Sequence, residues 1–161
     1  MEIGDRGTTP YMRSVLHYPR FLCLVIVVST SALAQQTVTS PRADGAQTPL
    51  RIFAPSGQAC APLAVISPGA GGTENGYSYV AEGLRDHGYL AVVMGQKESG
   101  PGTLRSEIRS AGVHGGPKDM VTDPSLQNDR MMDLAAALAW ADKRCHYPFK
   151  VLLGHSMGRT R

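Results

Sequence analysis

Beyond residue 49, short apolar runs alternate with stretches of helical spacing. Residues 50–54 are an apolar run ended by Pro55-Ser56-Gly57, and 63–67, Leu-Ala-Val-Ile-Ser, are the next; both predict strands. Tyr77, Val80, Ala81 and Leu84 fall at i, i+3, i+4 and i+7, which predicts an amphipathic helix stopped at Gly88. Residues 89–94 predict a third strand. Asp123 caps and Pro124 opens a long helix reaching about Arg144. Its apolar stripe is Met131, Leu134, Leu138, Ala141 and Cys145, and Lys143 and Arg144 complement the C-terminal dipole. Residues 150–153 predict the last strand. Strands alternating with helices define an α/β class with a mostly parallel sheet and flanking helices. Trp140 and the pair Met131 and Met132 are assigned to the core. Residues 95–123 read as a long polar loop, with a short helix marked by Leu104, Ile108 and Ala111. Two roles fit that loop: the rim of a substrate mouth, or a solvated surface carrying Glu98, Arg105, Glu107, Arg109, Lys118 and Asp119.

The N-terminus has a different pattern. Residues 21–28 are continuously apolar, Arg13 and Arg20 precede them, and Ala32-Leu33-Ala34 follows as an A-x-A cleavage pattern. This predicts a signal peptide over 1–34, cut after Ala34, and a secreted or periplasmic product. Met12 is an alternative start, and an apolar core helix is the alternative reading. The run is too short to span a bilayer as a helix. Cys23 has no small-residue lipobox before it, so no lipid anchor is expected. Residues 35–48, rich in Gln, Thr, Ser and Ala, predict a flexible mature N-terminus.

Chemistry enters at the last strand. Lys150-Val151-Leu152-Leu153 runs into Gly154-His155-Ser156-Met157-Gly158, a Gly-x-Ser-x-Gly turn after an apolar strand. A nucleophilic serine needs a sharp strand-to-helix turn that lifts its hydroxyl above the sheet. Gly154 and Gly158 leave room where a β-carbon would collide. A helix starting near Met157 would aim its free N–H groups at a developing oxyanion. The strand at 63–67 is followed by Pro68-Gly69-Ala70-Gly71-Gly72-Thr73, a glycine-rich loop suited to placing another donor. No Gly-Lys-Ser/Thr follows it, and Glu74 stands where a dinucleotide fingerprint needs its third glycine, so neither nucleotide loop fits.

Four segments carry a resemblance. They are Ile66-Ser67-Pro68-Gly69-Ala70-Gly71-Gly72; Tyr79 to Leu84 with His87-Gly88-Tyr89; Asp129-Arg130-Met131-Met132-Asp133-Leu134; and Gly154-His155-Ser156-Met157-Gly158. With them, 63–158 resembles the N-terminal half of an α/β-hydrolase. It is most similar to the dienelactone-hydrolase-like, platelet-activating-factor-acetylhydrolase-like and cutinase-like group. The resemblance implies that Ser156 is the nucleophile of a serine ester hydrolase. It implies that the N–H groups of Met157 and Ala70 form the oxyanion hole. It makes 49–161 the N-terminal part of the domain, and places the triad acid and histidine after the serine, so this stretch alone is expected to be inactive or nearly so. Relatives continue the elbow with small residues, whereas Arg159-Thr160-Arg161 follows here.

The remaining signals narrow the partners. A formal net charge of +3 with no basic stripe gives no reason to expect nucleic acid, and a small-molecule ester is the expected substrate. No HExxH, HxH or CxxC pattern occurs, so neither a metal nor a cofactor is expected. Cys60 and Cys145 remain after the leader, either as a disulfide favoured by export or as two separate thiols. His155 is expected to pack beneath the elbow, and His87 and His146 lie at a helix end and in a connector. His114, in the long loop, is the one histidine with conceivable access to Ser156. Two further readings stay open: a non-catalytic remnant or binding module on the same scaffold, and a peptidase or thioesterase. Oligomeric state is not encoded in any pattern seen here.

Overall fold

The computed structural model describes residues 35–57 and 60–158. The expected leader, its junction after Ala34, and Arg159-Thr160-Arg161 lie outside the described residues. In chain order the elements are β1 (Gln36–Pro41), β2 (Gln47–Phe53), β3 (Leu63–Ser67), α1 (Ser78–Asp86), β4 (Leu90–Met94), α2 (Pro101–Thr122), α3 (Pro124–Asp142) and β5 (Lys150–Gly154). A 3-10 turn, Ser156–Gly158, follows β5.

The five strands make one sheet in the order β1-β2-β4-β3-β5. β4, β3 and β5 run parallel, while β1–β2 and β2–β4 pair antiparallel. Side chains alternate across a strand, so a sheet covered on both faces must be apolar throughout. β3 and β4 meet this requirement. Leu63, Val65, Val92 and Met94 pack with Leu50, Ile52, Ala137, Trp140 and Tyr147 on the α3 face. Ile66, Ala91 and Val93 pack with Phe53, Ala81, Val80 and Leu84 on the α1 face. Each of these buried aliphatic side chains contributes roughly 1.5–3 kcal/mol. β5 pairs with β3 alone among the described strands, and Leu152 on it is 54% exposed.

Three expectations change. Residues 36–41 are a strand rather than a flexible segment, because β1 pairs with β2 over its whole length and buries Ser40. Arg42, also buried, anchors that hairpin to α3 through Asp129 and Asp133, with Asp44 and Glu98 completing the cluster. The long loop is instead helical: Pro101 opens α2, and Gly112 breaks it with φ 79 and ψ 172, a conformation glycine tolerates. The polar composition hid it, since most of α2 faces solvent. On α3 the buried face is Arg130, Asp133, Ala136, Ala137, Trp140 and Ala141. Met131, assigned to the core, is 47% exposed, because two buried charged residues shift the phase of the stripe. The cap of α3 is as expected, with the Asp123 carboxylate accepting from Ser125 N–H at 2.8 Å.

Cys60 and Cys145 are joined, with Cα atoms 5.7 Å apart. The bond ties the segment before β3 to the α3–β5 connector, so the two neighbouring parallel strands enter the sheet from a common clasp.

Candidate active site

The site lies at the C-terminal ends of β3 and β5. In parallel α/β sheets that end is where ligands bind. The register pairs Ser67 with Gly154, so the glycine-rich loop and the serine turn leave the sheet side by side. The His155 N–H donates to Ser67 C=O at 3.3 Å and holds them together.

Ser156 has φ 52, one of two non-glycine residues in the left-handed region among the described residues. A lone residue held there carries about 1–3 kcal/mol of backbone strain and needs support from its surroundings. The support is close packing. A β-carbon on Gly69 would lie 3.1 Å from His155 Nδ1, 3.2 Å from His155 O and 3.2 Å from Ser156 Cβ. A side chain at this position would push the turn away by a few tenths of an ångström. Gly71, at φ 75, has a second reason to be glycine: a β-carbon there would collide with Leu104 Cδ2 of α2. Gly154 ends β5, and Gly158 closes the 3-10 turn that stands where a helix start was expected.

Two backbone donors of the loop are fixed. Gly72 N–H donates to Gly69 C=O at 3.0 Å, and Gly71 N–H donates to Ser99 C=O at 2.8 Å. Among the described residues Ala70 N–H has no such backbone acceptor. In a planar trans peptide the N–H points opposite the C=O. Because Gly69 C=O turns in toward Gly72, the Ala70 N–H of the same peptide faces the other way. Met157 is buried by its side chain at 2% exposure, which seats the turn on the protein.

A cavity of about 460 Å³ opens over these groups. Its floor is Gly69, Ala70, Gly71, Gly72, His155 and Ser156; Tyr77 forms one wall, and Leu104, Ile108, Val113 and Pro117 of α2 form the other. The chemistry of the lining is a serine hydroxyl, backbone amides and an apolar wall. No carboxylate lines it among the described residues. Ser156 itself is exposed.

The histidines fall differently from expectation. His155 is exposed and lines the cavity instead of packing beneath the elbow, because the loop at Gly69 fills that space. Its Nδ1 lies 2.7 Å from Tyr77 Oη. His114 sits on the exposed surface of α2 and is not among the cavity's lining residues. His87 Nδ1 is 2.7 Å from Gly83 C=O, finishing α1. Among the described residues no cluster of three His, Cys, Asp or Glu could hold a metal ion.

Three contributors were not legible as such. Tyr77 reads as one position of an amphipathic stripe, yet its own φ of 57 caps α1 and turns its ring to the cavity. The apolar residues of α2 are spaced too irregularly across its break to announce a wall. Arg130, like Asp133, places a charge on the buried face of α3. It is 3% exposed and donates to Met157 C=O at 3.1 Å, to Ser99 Oγ at 2.7 Å and to Pro68 C=O. Burial pulls its guanidinium down to about 10, with Asp133 opposing.

Solved structures share this fold. Over 77% of this chain it superposes on a cold-adapted esterase from an Arctic intertidal metagenomic library, with TM-score 0.57, 20% identity and 51% of that chain covered. Est1E from Butyrivibrio proteoclasticus matches over 78% of this chain and 42% of its own, with TM-score 0.53 and 16% identity. A putative dienelactone hydrolase from Klebsiella pneumoniae matches over 78% and 51%, with TM-score 0.50 and 16% identity. The fold is that of the α/β-hydrolases, and the chain spans about half, or less, of the length of these structures. No protein-family profile matches the chain. No curated protein sequence matches it.

Proposed function

We propose that this chain carries the nucleophile and oxyanion hole of a serine ester hydrolase, of the dienelactone-hydrolase-like, acetylhydrolase-like and cutinase-like kind. The observation that carries the reading is the left-handed Ser156, set directly after β5, packed on Gly69 and opening into the cavity. The esterase and the putative dienelactone hydrolase among the structural neighbours support it.

In this reading Ser156 Oγ attacks the ester carbonyl carbon. Negative charge collects on the carbonyl oxygen, where the N–H groups of Ala70 and Met157 stabilise it. The alcohol leaves, and water later releases the acid from the acyl-serine. The attacking hydroxyl must lose its proton. Among the described residues His155 is the one histidine lining the cavity, and it engages Tyr77 through Nδ1. The resemblance to the α/β-hydrolases implies a proton acceptor and its carboxylate partner after the serine in chain order. The apolar wall of α2 suits a hydrocarbon acyl or alcohol group. Export through the leader cut after Ala34 belongs to the same proposal, and the Cys60–Cys145 bond supports an oxidising compartment. Among the described residues no helix is long and apolar enough to cross a membrane.

The His155–Tyr77 bond and the carboxylate-free cavity favour one rival, a binding module without turnover. Covalent trapping separates the two. With imidazole supplied as an external base, a fluorophosphonate should modify Ser156, located by peptide mass spectrometry, and should leave Ser156→Ala unmodified. A cavity that binds without reacting would leave Ser156 unlabelled.

A further inference from the structure

We infer that Arg130 is the positioning residue of the oxyanion hole: one buried guanidinium sets the spacing of the Ala70 and Met157 donors and holds a positive charge beneath them. The inference rests on the proposed role of those two amides.

The guanidinium reaches three separate pieces of chain. Nε donates to Met157 C=O at 3.1 Å, on the serine turn. One terminal nitrogen donates to Pro68 C=O, at the start of the glycine-rich loop, and lies 3.5 Å from Ser67 Oγ. The other donates to Ser99 Oγ at 2.7 Å, and the Ser99 carbonyl takes the Gly71 N–H at 2.8 Å. The peptide before Gly69 and the peptide after Ala70 are thus both tied to one planar group, directly or through Ser99. The peptide between them carries the Ala70 N–H. A rigid fork of five donors suits this task, and a lysine ammonium on a flexible stem does not.

The electrostatics point the same way. A buried arginine ordinarily sits against a carboxylate, since an unpaired buried charge is costly. Arg42 does so, with Asp44, Glu98, Asp129 and Asp133 around it. Among the described residues Arg130 forms no salt bridge; its acceptors are carbonyls and hydroxyls. No carboxylate touches the guanidinium among the described residues, and Asp133 acts on it only through space. A buried positive charge stabilises an oxyanion forming above it more than the neutral ester that precedes it. A core position that served packing alone would gain from an apolar residue of equal volume.

The experiment uses the whole chain as parent, Arg130→Lys, Arg130→Met and Ser156→Ala, with two readouts. The first is amide hydrogen exchange at Ala70, Gly71 and Met157, each taken as a ratio to the β4 amides. Arg130→Met and Arg130→Lys should both raise that ratio by about tenfold or more, because both lose the fork. The second is labelling of Ser156 by a fluorophosphonate with imidazole supplied as an external base. The limiting rate should fall by roughly 10²-fold in Arg130→Met, the scale of losing one oxyanion donor, while the half-saturating probe concentration stays constant. Arg130→Lys, which keeps the charge, should recover part of that rate. A general loss of structure would instead move both constants. If Arg130→Met loses β4 protection as well, Ser99→Ala removes one contact of the brace and should loosen the same three amides. Unchanged exchange ratios in these variants overturn the inference. A parent that never labels counts against Ser156 as nucleophile, and the exchange ratios still decide the brace.

Discussion

Gly69 and Ser156 are in contact closely enough that a single methyl group on the glycine would sit 3.2 Å from the serine's β-carbon. That contact holds the strained turn from below. Gly69→Ala forces the turn to shift by a few tenths of an ångström, and donors near 3 Å tolerate little displacement. Labelling of Ser156 by a fluorophosphonate should fall about tenfold or more. The melting temperature should move by only a few degrees, since the perturbation is local. Unchanged labelling would mean that the close packing does not position the serine.

The Cys60–Cys145 bond closes a loop with a sequence separation of 85. On the chain-entropy account, a loop that long stabilises the folded state by about 4 kcal/mol relative to the reduced chain. Replacing both cysteines with alanine should lower the urea midpoint and steepen the slope, because the uncrosslinked unfolded chain exposes more surface. An identical midpoint in the oxidised parent and the double variant would show that the clasp adds nothing.

Two carboxylates near Arg42 should titrate in opposite directions. Burial pushes the Asp133 carboxyl up from 3.8, with hydrogen bonds from Thr48 and Arg42 opposing. The hydrogen bond from Arg42 holds Asp44 below 3.8. The native state therefore takes a proton on Asp133 before the unfolded chain does, so this group adds stability as pH falls through its native value. Asp44 behaves oppositely: its contribution is complete above 3.8 and is lost as pH falls through its native value. Carbon-detected NMR of the side-chain carboxyls should place Asp133 above 3.8 and Asp44 below it. The reverse order would contradict the packing of the cluster.

Much of this arrangement was legible before any coordinates. The apolar runs at 63–67, 89–94 and 150–153 became the three parallel strands. Asp123 with Pro124 located the start of α3. The glycine-rich loop and the Gly-x-Ser-x-Gly turn named the two segments that the sheet register brings together. What escaped notice shares a physical cause. β1 is short, polar on one face and held by the buried ion cluster at Arg42, so its hydrophobic signal is faint. α2 presents its apolar residues to a cavity rather than to the core, and Gly112 interrupts its period. Arg130 and Asp133 place charges on the buried face of α3, where a hydrophobic stripe is normally read. The orientation of His155 was set by a distant glycine, which no local pattern encodes.

The central claim is that Ser156 is a nucleophile beside preset donors. The most direct measurement is the rate of fluorophosphonate labelling and of short-chain nitrophenyl ester hydrolysis by residues 1–161, with and without imidazole. On the proposed reading, in which the acid and histidine follow the serine, a nucleophile without its triad partners retains roughly 10³–10⁴-fold enhancement over water from the oxyanion hole and binding. Hydrolysis should therefore be slow, rise with imidazole, and disappear in Ser156→Ala, with the label mapping to Ser156 alone. Turnover that persists in Ser156→Ala, or a label placed elsewhere while Ser156 stays free, would contradict the account.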